Sequence, residues 1–179
     1  ERLREVGQRE LVIGWVGNSK WAAELEDFKG VNSILKPAIE QLQQEGFSVK
    51  SLFADRQDQF IPHDQMPNYY SKIDVYVCTS KIEGTPNPVL ESMACGVPVI
   101  STDVGIVPQA FGELQKAFIL PERTVEALKD SIRKLVEEPA LLTRLSTENI
   151  ERIKEWDWSI KAAKFGQYFE SLTEIDSRT

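Results

Sequence analysis

The chain has 179 residues, 41% hydrophobic and 27% charged, a balance that fits a single globular domain long enough to bury a core. A formal net charge of −7 argues against a nucleic-acid surface, and one histidine with two cysteines nearly excludes a Cys/His metal site. No run approaches 18 apolar residues and no signal-peptide pattern is present, so a cytoplasmic protein is expected, with Cys78 and Cys95 as small reduced core residues.

Residues 1–10 are charged with little apolar pattern, as expected of a linker or incoming segment; the first residue is glutamate, which suggests a piece of something longer. Leu11 to Val16 is a near-continuous apolar run, the mark of a strand buried on both faces, and Gly17, Asn18 and Ser19 follow as a turn. After Lys29-Gly30, the residues Val31, Ile34, Leu35, Ala38, Ile39 and Leu42 recur at helical spacing. Pro37 should kink that helix or mark its true start, and Gly46 should stop it. Phe47 to Ala54 reads as a second strand, 55–64 as loop, and 68–73 as one or two helical turns with Tyr69 and Tyr70 partly buried.

Val75 to Cys78 is expected as the third strand, Pro88 to Cys95 as a helix ended by Gly96, and Val97 to Ser101 as the fourth strand. A further small strand is expected at Ala117 to Leu120. Helices are expected at Val125 to Val136, then, beyond the break at Pro139, at Leu141 to Ile153, and finally at Ile160 to Leu172. Trp15, Trp21, Trp156 and Trp158 stand at spacings better explained by packing than by sugar stacking. Strands alternating with helices imply βαβ units and a parallel sheet covered on both faces, an α/β Rossmann-like fold over residues 11–155. The helix-rich end from residue 124 onward departs from that alternation and is expected, as a C-terminal extension, to pack against something other than this sheet.

In such a sheet, ligands bind at the carboxyl ends of the strands, which here means loops 17–30, 79–88 and 102–107. Loop 79–88 runs into a helix whose first amides and dipole favour an anion. Gly84 lets backbone approach a ligand, and Pro86 and Pro88 stiffen the path. Glu83 and Glu91 bracket the loop with seven residues between them. A carboxylate at Glu91 is placed to accept hydrogen bonds from vicinal hydroxyls, and Glu83 to reach a sugar. Taken alone, such a pair reads as surface and helix-stabilising carboxylates. His63 lies in the preceding loop, and Asp103 reads as a turn former before Gly105.

The uninterrupted block Glu83-Gly-Thr-Pro-Asn-Pro-Val-Leu-Glu91-Ser-Met-Ala-Cys-Gly-Val-Pro-Val-Ile-Ser-Thr-Asp-Val-Gly resembles the signature of the retaining family-4 glycosyltransferases of the GT-B fold. Ile13-Gly14-Trp15-Val16-Gly17, Lys29-Gly30, Met66 to Val75 and Trp156-Asp-Trp158-Ser159 agree with the flanks of that pattern. The resemblance covers about residues 11–172 and only the C-terminal, donor-binding half of such an enzyme. It implies that Glu91 binds the nucleotide ribose, Glu83 contacts the donor sugar, and Lys29 neutralises the diphosphate leaving group, with Glu83 and Lys29 as the catalytic pair. Gly84, Thr85, Asn87, Pro88 and Gly17 complete the implied nucleotide-sugar site.

Where the family usually places an arginine after the first strand, this chain has Asn18-Ser19-Lys20. Lys20 then reads either as a point charge on the diphosphate or as a solvated loop lysine. The resemblance implies a UDP- or GDP-sugar donor, no metal and no cofactor, and a partner N-terminal GT-B domain that carries the acceptor and docks on residues 156–179. Transfer to a glycan or lipid-linked acceptor in bacterial surface polysaccharide synthesis is the implied setting, any membrane association resting with that domain or acceptor. A nucleotide-sugar epimerase of the same architecture and a binding module without catalysis are the alternatives.

Overall fold

The structure is a computed structural model and describes residue 6 and residues 8–176. Four strands, β1 (Leu11–Gly17), β2 (Val49–Asp55), β3 (Val75–Cys78) and β4 (Val99–Ser101), form one parallel sheet in the order β2-β1-β3-β4. β1 is the pivot: it pairs with β2 along its whole length, Leu11 opposite Val49 through Gly17 opposite Asp55, and with β3 through Ile13–Val75 and Gly14–Tyr76. The chain therefore reverses direction across the sheet between β1 and β3, the point where open α/β sheets leave a crevice for ligands.

Alternation along β1 sends Leu11, Ile13 and Trp15 to one face and Val12 to the other. The first face is covered by α1 (Lys36–Gln44) and α6 (Val125–Glu137), whose Ala38, Ile39, Leu42, Leu128, Ile132 and Leu135 share its core, so the stretch after residue 124, expected to pack elsewhere, begins with a helix whose apolar stripe closes this sheet. The second is covered by α2 (Met66–Tyr70) and α3 (Asn87–Ala94) through Tyr69, Tyr70, Val89 and Met93. Burial on both faces is why these strands read as continuous apolar runs. Two further short helices, α4 (Val107–Ala110) and α5 (Glu113–Lys116), were not legible in the sequence, and α7 (Ala140–Ile153) and α8 (Trp158–Asp176) are the last helices among the described residues.

Pro37 marks the true start of the helix after Gly30, as expected, and four other expectations are corrected in detail. The helix after Gly30 opens as a π turn over Val31–Leu35, in which the Leu35 N–H reaches the Gly30 carbonyl and the Lys36 N–H that of Val31. Pro37 has no N–H to continue that repeat, so regular α-helix starts at Lys36. The strand expected at Ala117 to Leu120 reduces to one bridge, Ser101 to Ile119. The outer edge of Val99 is instead closed by a side chain: its N–H donates to Gln115 Oε1, and Gln115 Nε2 donates to its carbonyl. Cys78 is buried as expected, but Cys95, at the exposed end of α3, is not a core residue. Tyr69 and Tyr70 are fully rather than partly buried. Trp15 packs in the core, whereas Trp21 and Trp158 are exposed and are not explained by packing.

Within the incoming segment, Arg9 grips the buried Asp74 at 2.7 and 2.8 Å, and Asp74 also accepts the Val12 N–H. On α8, Phe165, Tyr168, Phe169 and Leu172 leave an apolar stripe exposed. Among the described residues, no helix is long and apolar enough to cross a membrane.

Candidate functional site

Two adjoining cavities of about 310 and 360 Å³ open at the carboxyl end of the sheet. Val16, Arg56, Asn87 and Pro88 line both, so they are two halves of one cleft at the β1/β3 reversal.

The first half is built where the loops after β1 and β3 meet. Asp27 caps the π turn, accepting the N–H groups of Gly30, Asn32 and Ser33 at 2.8–2.9 Å and the Ser33 hydroxyl at 3.0 Å. Burial disfavours its charge, but the hydrogen bonds from Ser33, Asn32 and Gly30 outweigh that and hold its carboxyl below the usual range. Gly30 follows with φ +69°, and a Cβ there would meet the Thr79 carbonyl at 2.5 Å, so only glycine fits this left-handed, crowded position. The Thr79 hydroxyl donates to the Lys29 carbonyl, and Arg123 ties the two loops from below, Nε to the Thr79 carbonyl and an Nη to that of Asp27. This lacing brings Lys29 Nζ to 2.6 Å from Glu83 Oε1, with both side chains about a fifth to a quarter exposed. Trp21, 57% exposed, stands with its ring centroid 5.4 Å from the same ammonium.

Gly105 closes the floor of the loop after β3. Its φ is +50°, a Cβ would collide with the Gly84 carbonyl, and that carbonyl accepts the Ile106 N–H. Helix α3 then starts at Asn87, Pro88 in its first turn and no side chain capping it, which leaves its N-terminus facing the cleft.

The second half is lined by Gln59, Phe60, Ile61, His63 and Glu91. Glu91 Oε2 accepts the Tyr70 hydroxyl at 2.7 Å, and its Oε1 lies 3.6 Å from Nε2 of the exposed His63. Asp55, at the end of β2, accepts the Ser19 and Gln57 N–H groups and so ties down the loop after β1. Burial raises the cost of its charge, yet the Ser19 side chain, with the Gln57 and Ser19 N–H groups, keeps its carboxyl below the usual range.

The model of the family described as "Glycosyl transferases group 1" matches residues 35–152. The chain belongs to this family. It is 30% identical over 115 residues to the putative teichuronic acid biosynthesis glycosyltransferase TuaC of Bacillus subtilis, covering 64% of this chain and 29% of the relative. To the O-antigen chain mannosyltransferase B of Escherichia coli it is 24% identical, covering 55% of this chain and 26% of the relative. The chain thus spans under a third of the length of these relatives. Among solved structures, a sucrose-phosphate synthase from Thermosynechococcus elongatus shares the fold with a TM-score of 0.71 at 22% identity, over 93% of this chain and 46% of that one. The C-terminal domain of a glycosyl transferase group 1 family protein from Francisella tularensis matches with a TM-score of 0.66 at 18% identity, over 86% and 91%.

For this group 1 glycosyl transferase chain, the cleft brings together most of the residues that the sequence proposed. Gly17, Lys29, Glu83, Thr85, Asn87 and Pro88 line its first half, and Glu91 its second. Gly84 and Lys20 line neither half: the Gly84 carbonyl is spent on Ile106, and Lys20 sits in the exposed loop with its N–H on Asn18 Oδ1. Five contributors were missed. Arg56 lines both halves, and its N–H is held by the Gly17 carbonyl. Trp21, Tyr70 and Arg123 carry no motif of their own. Asp27 was legible in principle, as an N-cap residue before the apolar stripe of the following helix. Among the described residues, no group of three or more His, Cys, Asp or Glu side chains is placed to hold a metal ion.

Proposed function

We propose that this chain is the donor-binding domain of a retaining, family-4 type glycosyltransferase. It holds a nucleoside-diphosphate sugar, UDP- or GDP-linked, for transfer to a glycan or lipid-linked acceptor. The observation that carries this reading is the cleft itself. An ammonium–carboxylate pair, Lys29–Glu83, stands in one half, a helix N-terminus borders both, and Glu91 stands in the other.

A diphosphate spanning the shared wall meets the amide-rich start of α3 and two cations, Lys29 and Arg56. Arg56 takes the role considered for Lys20, because it lines both halves and Lys20 neither. The nucleoside then extends into the second half, where Glu91 accepts from the ribose hydroxyls, and the sugar lies beside Glu83. Charge that develops on the leaving diphosphate is stabilised by Lys29 as the glycosidic bond breaks, an electrostatic and positioning role. No covalent nucleophile is invoked; the donor phosphate accepts the acceptor's proton.

The acceptor and the remaining catalytic groups belong to an N-terminal domain, for which the apolar stripe of α8 provides the docking surface, and the assembled enzyme works in the cytoplasm on bacterial surface polysaccharide. The donor is the only small molecule this reading requires. Calorimetry on the 179-residue chain tests it. UDP or GDP is expected to bind weakly, Glu91→Ala to cost roughly 1–3 kcal/mol of that binding, and Lys29→Ala to weaken pyrophosphate as well. No heat with UDP, GDP or ADP at millimolar concentration removes the site.

A further inference from the structure

Glu91 is not free to turn. It stands one helical turn into α3 with its side chain 29% exposed, and its Oε2 is taken by the Tyr70 hydroxyl at 2.7 Å. Tyr70 itself is locked. Only 1% of its surface is exposed, and its ring is set edge-on between Tyr69 and Tyr76 at centroid distances of 5.4 and 6.5 Å. Burial, and then the Glu91 carboxylate, push the Tyr70 hydroxyl far above its ordinary range, which keeps it the donor in this bond. The other oxygen, Oε1, faces the second half of the cleft, where exposed His63 is its neighbour.

We propose that Tyr70 is the positioning residue of the nucleoside half of the cleft. By holding Oε2 it commits one oxygen of Glu91 to the protein and presents Oε1 alone to a ligand diol. The proposal rests on the reading of Glu91 as the ribose ligand. Its physical content is pre-organisation. A glutamate on a helix surface samples several rotamers and loses that freedom when a ligand orders it; here the buried hydroxyl has already removed it. Tyr70 never touches the ligand, so its influence passes through Glu91 and reaches only ligands that carry a diol.

The test is calorimetry on the whole chain with UDP, GDP, 2′,3′-dideoxy-UDP and inorganic pyrophosphate. Tyr70→Phe keeps the ring contacts with Tyr69 and Tyr76, and Tyr70→Met serves as a second variant without the hydroxyl; melting temperature confirms that each is folded. Tyr70→Phe is expected to bind UDP or GDP roughly fivefold to tenfold more weakly, the factor for the net worth of one ordinary hydrogen bond. Its affinity for pyrophosphate and for the dideoxy nucleotide should match the wild type, and it should add no further loss in a Glu91→Ala background. Tyr69→Phe, which removes a buried hydroxyl bonded to Trp15 and Leu52, should lower stability and leave the preference for ribose ligands unchanged. An undiminished affinity of Tyr70→Phe beside a weakened Glu91→Ala overturns the positioning role alone. A loss that extends to pyrophosphate or persists in the Glu91→Ala background also overturns it, because Tyr70 would then be packing. If Glu91→Ala binds UDP and GDP as the wild type does, or the wild type binds neither, the reading of the cleft falls with it.

Discussion

Asp27 offers the sharpest test of how the Lys29 end of the cleft is held. Its carboxylate takes three backbone N–H groups and one hydroxyl from Gly30 and the π turn that follows it: Gly30 at 2.9 Å, Asn32 and Ser33 at 2.8 Å, and Ser33 Oγ at 3.0 Å. Asp27→Ala hands the exposed Asn32 and Ser33 amides to water and leaves the buried Gly30 N–H on the backbone carbonyl of residue 27, so the cost is that of a lost cap, about 1–2 kcal/mol. For a domain of this size that is a fall in melting temperature of roughly 2–8 °C. The effect must depend on pH. The folded carboxyl lies below its ordinary 3.8, since the bonds from Ser33, Asn32 and Gly30 outweigh the penalty of burial. The unfolded chain therefore takes up the proton first. The stabilisation is complete above about 3.8 and is lost as the pH falls through the folded value. Thermal melts of wild type and Asp27→Ala should differ most at neutral pH and converge below pH 4, with Asp27→Asn between them. A difference that stays constant from pH 7 to pH 3, or an Asn variant as stable as the wild type, refutes the charged-cap account.

Two further outcomes probe the scaffold. Gly105→Ala places a methyl on the Gly84 carbonyl at a φ of +50°, and should cost at least about 2 kcal/mol in urea unfolding while weakening UDP or GDP binding. Gly84→Ala, whose Cβ meets nothing within 4 Å, should cost well under half as much; equal costs would refute the packed floor. Gln115→Leu leaves the buried N–H and carbonyl of Val99 unpaired and deprives Asn149 Nδ2 of an acceptor, so a loss of about 2–4 kcal/mol in thermal stability is expected. A near-neutral melt would show that the edge of β4 is satisfied in another way.

What the chain discloses as a string divides along a physical line. Elements whose cause is local were legible: continuous apolar runs gave β1 and β3, three- and four-residue spacing gave α1, α6 and α7, and Gly96 and Pro139 marked ends. Loop 83–91 was legible because both carboxylates and the helix start between them are contiguous. The Lys29–Glu83 pair spans 54 positions and came only through resemblance to a family pattern, since no periodicity connects the two. Features created by the meeting of distant segments were invisible. Tyr70 looks like one more aromatic in an apolar stripe, and its hydroxyl acquires a role only because α2 and α3 pack side by side on one face of the sheet. Arg123 sits in a polar stretch and finds the Asp27 and Thr79 carbonyls across 96 and 44 positions. The failed strand at 117–120 makes the same point in reverse. Its apolar residues do carry the pattern of an edge strand, but the partner groups on Val99 were already taken by the amide of Gln115. A ladder needs unclaimed donors and acceptors as well as a suitable side-chain pattern, and only the assembled fold decides which backbone groups remain unclaimed.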